Sequence, residues 1–242
     1  MMNLIRLAGS CVVAAALCAT AHAQTAGTIF ITGGWYHVAP QDSSNNFRFT
    51  SVGGAPVNFI VPNTGVAVSD ADTFGMSGGY FITDHIAAEF QFGLPPKYDV
   101  SGTGALAPYG KLGTIREWGP LLLFQYYFRD AQAKFRPYVG IGVTRTWFTN
   151  ARVTNTNFEN QALGGPTTVE AEAQWAPVFN VGFNYAFTQH WFAGFTVLYA
   201  PISTTSTFTT QAQTPVGTIS RRAETKVQLN PIVTYLRVGY RF

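Results

Sequence analysis

The sequence has little charge and almost no cysteine. Asp, Glu, Lys and Arg make up 11% of its 242 residues, where about a quarter is usual for a soluble protein. Both cysteines, Cys11 and Cys18, lie in the first apolar stretch. Beyond them no thiol is left for a disulfide or a cysteine-based metal site. Long apolar runs are also missing after residue 23, which excludes spanning helices of about 20 apolar residues each. Like charges do not cluster. Without Arg6, 14 basic side chains face 12 acidic ones, too even and too scattered a balance for a nucleic-acid surface.

What is there begins with MMNLIRLAGSCVVAAALCATAHA. Arg6 supplies a short basic region, Leu7 to Ala19 an apolar core, and Ala21-His22-Ala23 a small-x-small cleavage site. This predicts a secretory signal peptide over 1–23, removed after Ala23. The remaining 24–242 suit one domain.

That remainder is rich in aromatics, and they alternate. From 175 the chain reads WAPVFNVGFNYAF: Trp175, Phe179, Val181, Phe183, Tyr185 and Phe187 share one parity, while Val178, Asn180, Gly182 and Asn184 share the other. EWGPLLLFQYYF sets Trp118, Leu122, Phe124, Tyr126 and Phe128 against Glu117, Leu121, Leu123, Gln125 and Tyr127. HIAAEFQFGL sets Ile86, Phe90, Phe92 and Leu94 against His85, Glu89 and Gln91. A period of two marks strands. The purely apolar face suits lipid and the mixed face suits a lumen, and about 10 residues is the length of a tilted membrane strand.

The alternation predicts strands near 28–38, 72–82, 85–94, 115–128, 135–148, 173–187, 190–200 and 226–242. Tight turns, such as Thr83-Asp84 and Thr188-Gln189, alternate with long loops. This rhythm predicts an all-β fold: an eight-stranded antiparallel transmembrane barrel with short periplasmic turns, long extracellular loops and both termini in the periplasm. The sheet must close, because a bilayer tolerates no open edge. Its expected surroundings are outer-membrane lipids.

FRPYVGIGVTRTWF (135–148), LNPIVTYLRVGYRF (229–242), TFGMSGGYFITDHIAAEF (73–90) and LLLFQYYFRDAQAKFRPYVG (121–140) resemble strands and hairpins of the OmpW family of small outer-membrane barrels. The resemblance covers nearly all of the chain after residue 23, with loops 39–71 and 201–225 unmatched. It implies a narrow, apolar-lined lumen that admits small hydrophobic compounds and releases them sideways into the membrane. It also implies that bacteriocins or phages use some members as receptors. Tyr240 and Phe242, on the lipid-facing parity, resemble the terminal signal that such barrels present to the barrel-insertion machinery.

An eight-stranded barrel has room inside for side chains or one small ligand. The inward parity predicts a lumen wall of Phe81, Leu121, Leu123, Tyr127, Tyr138, Val178, Val233 and Tyr235. Replacing Leu123 by Asp is expected to be milder than the same change at lipid-facing Leu122. Inward Glu89, Glu117, Arg136, Arg237 and Arg241 are expected to pair, since a lone buried charge is costly. Two functions follow: a conduit for small hydrophobic molecules, or a structural or receptor barrel with a plugged lumen and binding loops. A lipid-modifying barrel enzyme would need His37, Asp42 and Ser43 to converge. No catalytic residue, metal site or cofactor is assigned. His85 and His190 read as turn residues, and His85 lies too far from Glu89 along a strand to share a metal.

Overall fold

The computed structural model describes residues 24–215 and 217–242; the signal peptide expected over 1–23 lies outside them. Eight strands form the wall: β1 (Ile29–Ala39), β2 (Ala71–Phe81), β3 (Ile86–Gly93), β4 (Leu121–Tyr127), β5 (Phe135–Val153), β6 (Gln174–Ala186), β7 (Trp191–Tyr199) and β8 (Ile232–Arg241). Each pairs antiparallel with its neighbours in order, and β8 returns to β1 through Phe30↔Arg241 to Ala39↔Ile232. The barrel is closed, with no free edge among these strands.

The wall is inside out. Leu122, Phe124, Tyr126, Phe179, Val181, Leu236 and Val238 are exposed, while Leu123, Gln125, Tyr127, Val178, Asn180, Tyr235 and Arg237 are buried. A soluble sandwich would reverse this, burying its apolar face between sheets. Trp35, Trp118 and Trp175 stand exposed toward the loop end of the wall, and Tyr80, Tyr126, Tyr185 and Trp191 toward the turn end. These two girdles bound the lipid-facing band. Glycines on the inner face make room for rings: a Cβ on Gly79 would come within 2.1 Å of Phe30, and one on Gly239 within 2.2 Å of Phe192.

The two tightest turns share one chemistry. Thr83 Oγ1 accepts from the His85 and Ile86 N–H groups, and Thr188 Oγ1 from those of His190 and Trp191. His85 Nδ1 then bonds the Tyr127 carbonyl, and His190 Nδ1 the Arg241 carbonyl, both at 2.9 Å. The histidines pin each turn to the next strand.

Above the loop-end girdle the chain stays ordered. A second sheet rises there from Arg48–Val52, Ala55–Ile60, Thr64–Val68, Lys97–Gly104, Lys111–Trp118, Thr167–Ala171, Ser203–Thr214 and Gly217–Gln228, together with the upper part of β5. Between Thr64–Val68 and the segment from Asp42 to Phe47, side chains substitute for the ladder: Ser44 Oγ accepts from Val66 N–H and Asp42 Oδ2 from Val68 N–H. The sequence reading of 39–71 and 201–225 as plain loops is corrected by these strands. So is the single strand expected over 115–128, which breaks at Gly119 and Pro120 into Lys111–Trp118 and β4.

Candidate functional site

The lumen divides in two. Its turn half is filled. Arg237 and Glu89, both fully buried, form an ion pair. Arg237 Nη2 also donates to Tyr138 Oη at 2.9 Å and to Asn184 Oδ1 at 3.2 Å. Asn184 Nδ2 donates to Tyr127 Oη, which donates to Gln125 Oε1 at 3.1 Å. Tyr138 Oη meets Thr196 Oγ1. The guanidinium is flanked by the Tyr138 and Tyr235 rings, each centroid 5.7 Å away. Below this network Phe30, Phe81 and Phe192 pack edge to face and tilted. Above it Tyr36 and Tyr235 stack with centroids 3.9 Å apart.

The expected charge network is therefore smaller than the parity reading made it. Glu89 and Arg237 pair. Arg136 instead donates to the backbone carbonyl and Oε1 of Gln24 at 3.1 and 2.9 Å and lies over the Tyr127 ring. Arg241 lies over Phe192 and, among the described residues, forms no salt bridge. Glu117 is a correction: it stands at the other end of the lumen, hydrogen-bonded to Tyr98. Parity gives the side of a strand that a residue faces, and Glu117 faces inward as read, but its height puts it beyond reach of any lumen arginine in this network. Leu123 is register partner to Glu89, so an Asp there would meet a buried carboxylate. The expectation of a mild Leu123→Asp does not survive that neighbour.

The loop half is hollow. One cavity of about 110 Å³ is lined by Leu121, Val178, Leu198, Val233, Tyr36 and Gln91, among others. Another of about 80 Å³ lies among Val66, Leu112, Phe148, Phe158, Phe208 and Val227. Val38, Tyr98, Glu117 and Pro231 border both. Glu117 keeps some accessibility, and what it touches is cavity. Burial there, partly offset by the Tyr98 hydroxyl, raises its pKa to about 7. The Tyr98 phenol is pushed well above its ordinary value by burial first and by Glu117 second.

The lower cavity also meets the wall. The β3–β4 ladder ends at Gln91↔Leu121, and pairing resumes only at Lys97↔Arg116 in the upper sheet. Between them lie Pro95, Pro96 and Pro120, which have no N–H to give a ladder. Phe92, Gly93, Leu94, Pro96 and Gly119 line the cavity at this break, and Phe92 and Leu94 are also exposed on the lipid face.

Sequence-predicted wall residues thus fall into two groups. Phe81, Tyr127 and Tyr138 belong to the filled half, with Leu123 and Tyr235 at its upper boundary. Leu121, Val178 and Val233 line the lower cavity. Tyr240 and Phe242 lie on the lipid-facing parity, Tyr240 stacked on His190 and edge-on to Phe242. His37 bonds Asp72 at 2.8 Å. It does not join Asp42, which is bonded to Val68, or Ser43, which pairs with Gln228. Residues missed as partners are Tyr36, Tyr98 and Thr146; Pro95-Pro96 and Gly119-Pro120 were the available signal for the break.

A profile of the OmpW family matches residues 25–242. Outer membrane protein W of Vibrio cholerae is 30% identical over 237 residues, 98% of each chain. Outer membrane protein AlkL of Ectopseudomonas oleovorans is 27% identical over 192 residues, 79% of this chain and 74% of that one. The crystal structure of the outer membrane protein OprG from Pseudomonas aeruginosa matches with a TM-score of 0.76 and 26% identity, over 90% of this chain and 97% of that one. The inside-out wall, the aromatic girdles and these likenesses agree: the chain belongs to the OmpW family and is an outer-membrane β-barrel.

Proposed function

We propose that the barrel is a blind-ended conduit for small hydrophobic molecules, entered from the loop end and left through the side. Its turns and termini face the periplasm. The observation that carries this reading is the pairing of a stopper with a break. The ion pair and aromatic rings fill the turn half, so no axial path is left for a solute of useful size. The apolar cavity above them reaches the lipid-facing wall where three prolines interrupt the β3–β4 ladder. A hydrophobic molecule gains by leaving water for such a cavity, at about 25 cal/mol per Å² of apolar surface, and loses nothing on passing into lipid.

The test closes the break. Gly93→Cys with Gly119→Cys places a thiol on each side of it. Cells carrying the oxidised double variant should take up naphthalene no faster than cells lacking the barrel, and reduction should restore uptake. Unchanged uptake in the oxidised variant overturns the sideways route. No uptake through the unaltered barrel overturns the conduit itself and favours a receptor or structural role. That second reading draws on the Arg48–Val52 and Ala55–Ile60 hairpin, which holds Val57, Phe59 and Ile60 exposed at the loop end.

A further inference from the structure

The lower cavity is not uniformly apolar. Gln91 and Thr146 line it and are 0% and 1% exposed. Gln91 Oε1 accepts from Tyr36 Oη at 2.8 Å, which fixes the orientation of the carboxamide. Its Nε2 then has no protein partner, and neither has Thr146 Oγ1. A buried donor left without an acceptor is costly, whereas one that meets its acceptor is not. The two residues sit on strands that flank β4, Gln91 on β3 and Thr146 on β5. Around them the lining is Leu121, Val178, Leu198 and Val233. Glu117 borders the same cavity with Tyr98 as its hydrogen-bond partner and, among the described residues, no ion pair. A carboxylate in that position repels anions and offers nothing to a hydrocarbon.

We propose that Gln91 and Thr146 form a headgroup subsite for an uncharged amphiphile with one hydrogen-bond-accepting oxygen, such as a medium-chain ketone. The oxygen takes the free Nε2–H of Gln91 and the Thr146 hydroxyl. The chain lies along Leu121, Val178, Leu198 and Val233. Fatty-acid anions of the same length are rejected by Glu117. This rests on the conduit reading and names its substrate class.

The test uses the full barrel in lipid nanodiscs, with 2-octanone, octane and octanoate as probes and membrane partitioning of each subtracted. The ketone should bind about thirtyfold more tightly than the alkane, the size of two net hydrogen bonds. Octanoate should bind more weakly than the ketone at pH 8. Tyr36→Phe with Gln91→Met removes the donor without stranding the tyrosine hydroxyl, and Thr146→Val is a second, isosteric removal. Heat-modifiable mobility reports that each variant is folded. In both, the ketone should fall toward the alkane while the alkane is unchanged. Equal binding of ketone and alkane to the unaltered barrel overturns the subsite but leaves the conduit standing. A ketone preference that survives both variants overturns it as well. Failure of all three probes to bind overturns the subsite together with the conduit reading.

Discussion

The turn half and the loop half of this lumen are enclosed by the same eight strands but are built on opposite principles. The turn half carries the buried charge inside a connected polar network: Arg237 contacts Glu89, Tyr138 and Asn184, while Glu89 Oε2, Gln125 Nε2 and Arg237 Nε are left without a partner. The loop half carries one inward carboxyl, Glu117, with a single phenol for company, and its apolar side chains leave space. Wall geometry does not decide this, since the strands run through both halves. Side-chain volume and charge do. Large rings interlocked around a charge pair fill one half of the lumen, and in the other half valines and leucines share the lining with rings and space is left.

Breaking the stopper should give the largest effect. Glu89→Leu leaves Arg237 charged and uncompensated at the centre of the barrel. Removing one partner of a buried pair costs about 3–5 kcal/mol, so the unfolding midpoint in urea should drop steeply. A drop under about 1 kcal/mol would mean that water reaches Arg237 and that the turn half is not closed. A matched pair of truncations sharpens the comparison. Leu123 is fully buried beside the ion pair, whereas Leu112 borders the upper cavity. Leucine-to-alanine costs span about 2–5 kcal/mol according to how well the site is packed. Leu123→Ala should fall near the upper limit and Leu112→Ala near the lower. Equal costs would mean that the two halves are packed alike.

The wall of both halves could be read from the sequence because the bilayer enforces alternation. Phe179 and Val178 are adjacent and similar in character, yet one is exposed and the other buried, and only the run of neighbours at period two tells them apart. Above the membrane that constraint ends. Ser203–Thr214 is STTSTFTTQAQT, with threonines on both faces and no apolar rhythm, and it still forms a strand. The break in the wall was legible in principle, since Pro95, Pro96 and Pro120 cannot donate to a ladder. It was missed because Pro120 sits on the lipid-facing parity and passes as one more apolar residue. The site itself was half legible. Side follows from parity, as for Glu89 and Glu117, but height along the lumen and the choice of partner depend on shear and tilt around the barrel. Those are properties of the closed sheet and of no single strand.

The smallest effect should separate the halves most cleanly, because it depends on pH. Glu117 lies above the loop-end girdle, in the upper sheet, and burial raises its pKa from 4.5 to about 7. Below about pH 4.5 it is protonated both in the folded barrel and in the unfolded chain, and it adds no pH dependence. Between about 4.5 and 7 the folded state holds the proton and the unfolded state has released it. The folded state binds more protons there, so stability must fall as pH rises through this window. Above about 7 both forms are ionised and the loss is complete. Glu117→Gln removes the titration. The variant should unfold at a urea concentration that stays flat between pH 4.5 and 7.5, while the unaltered barrel declines, and above pH 7 the variant should be the more stable of the two. Because Glu117 is only half-buried, the change should be smaller than either stopper variant produces. A barrel whose stability does not decline over this window would mean that Glu117 is as well solvated as a surface carboxylate, and the loop half would then be a wet opening and not an apolar vestibule.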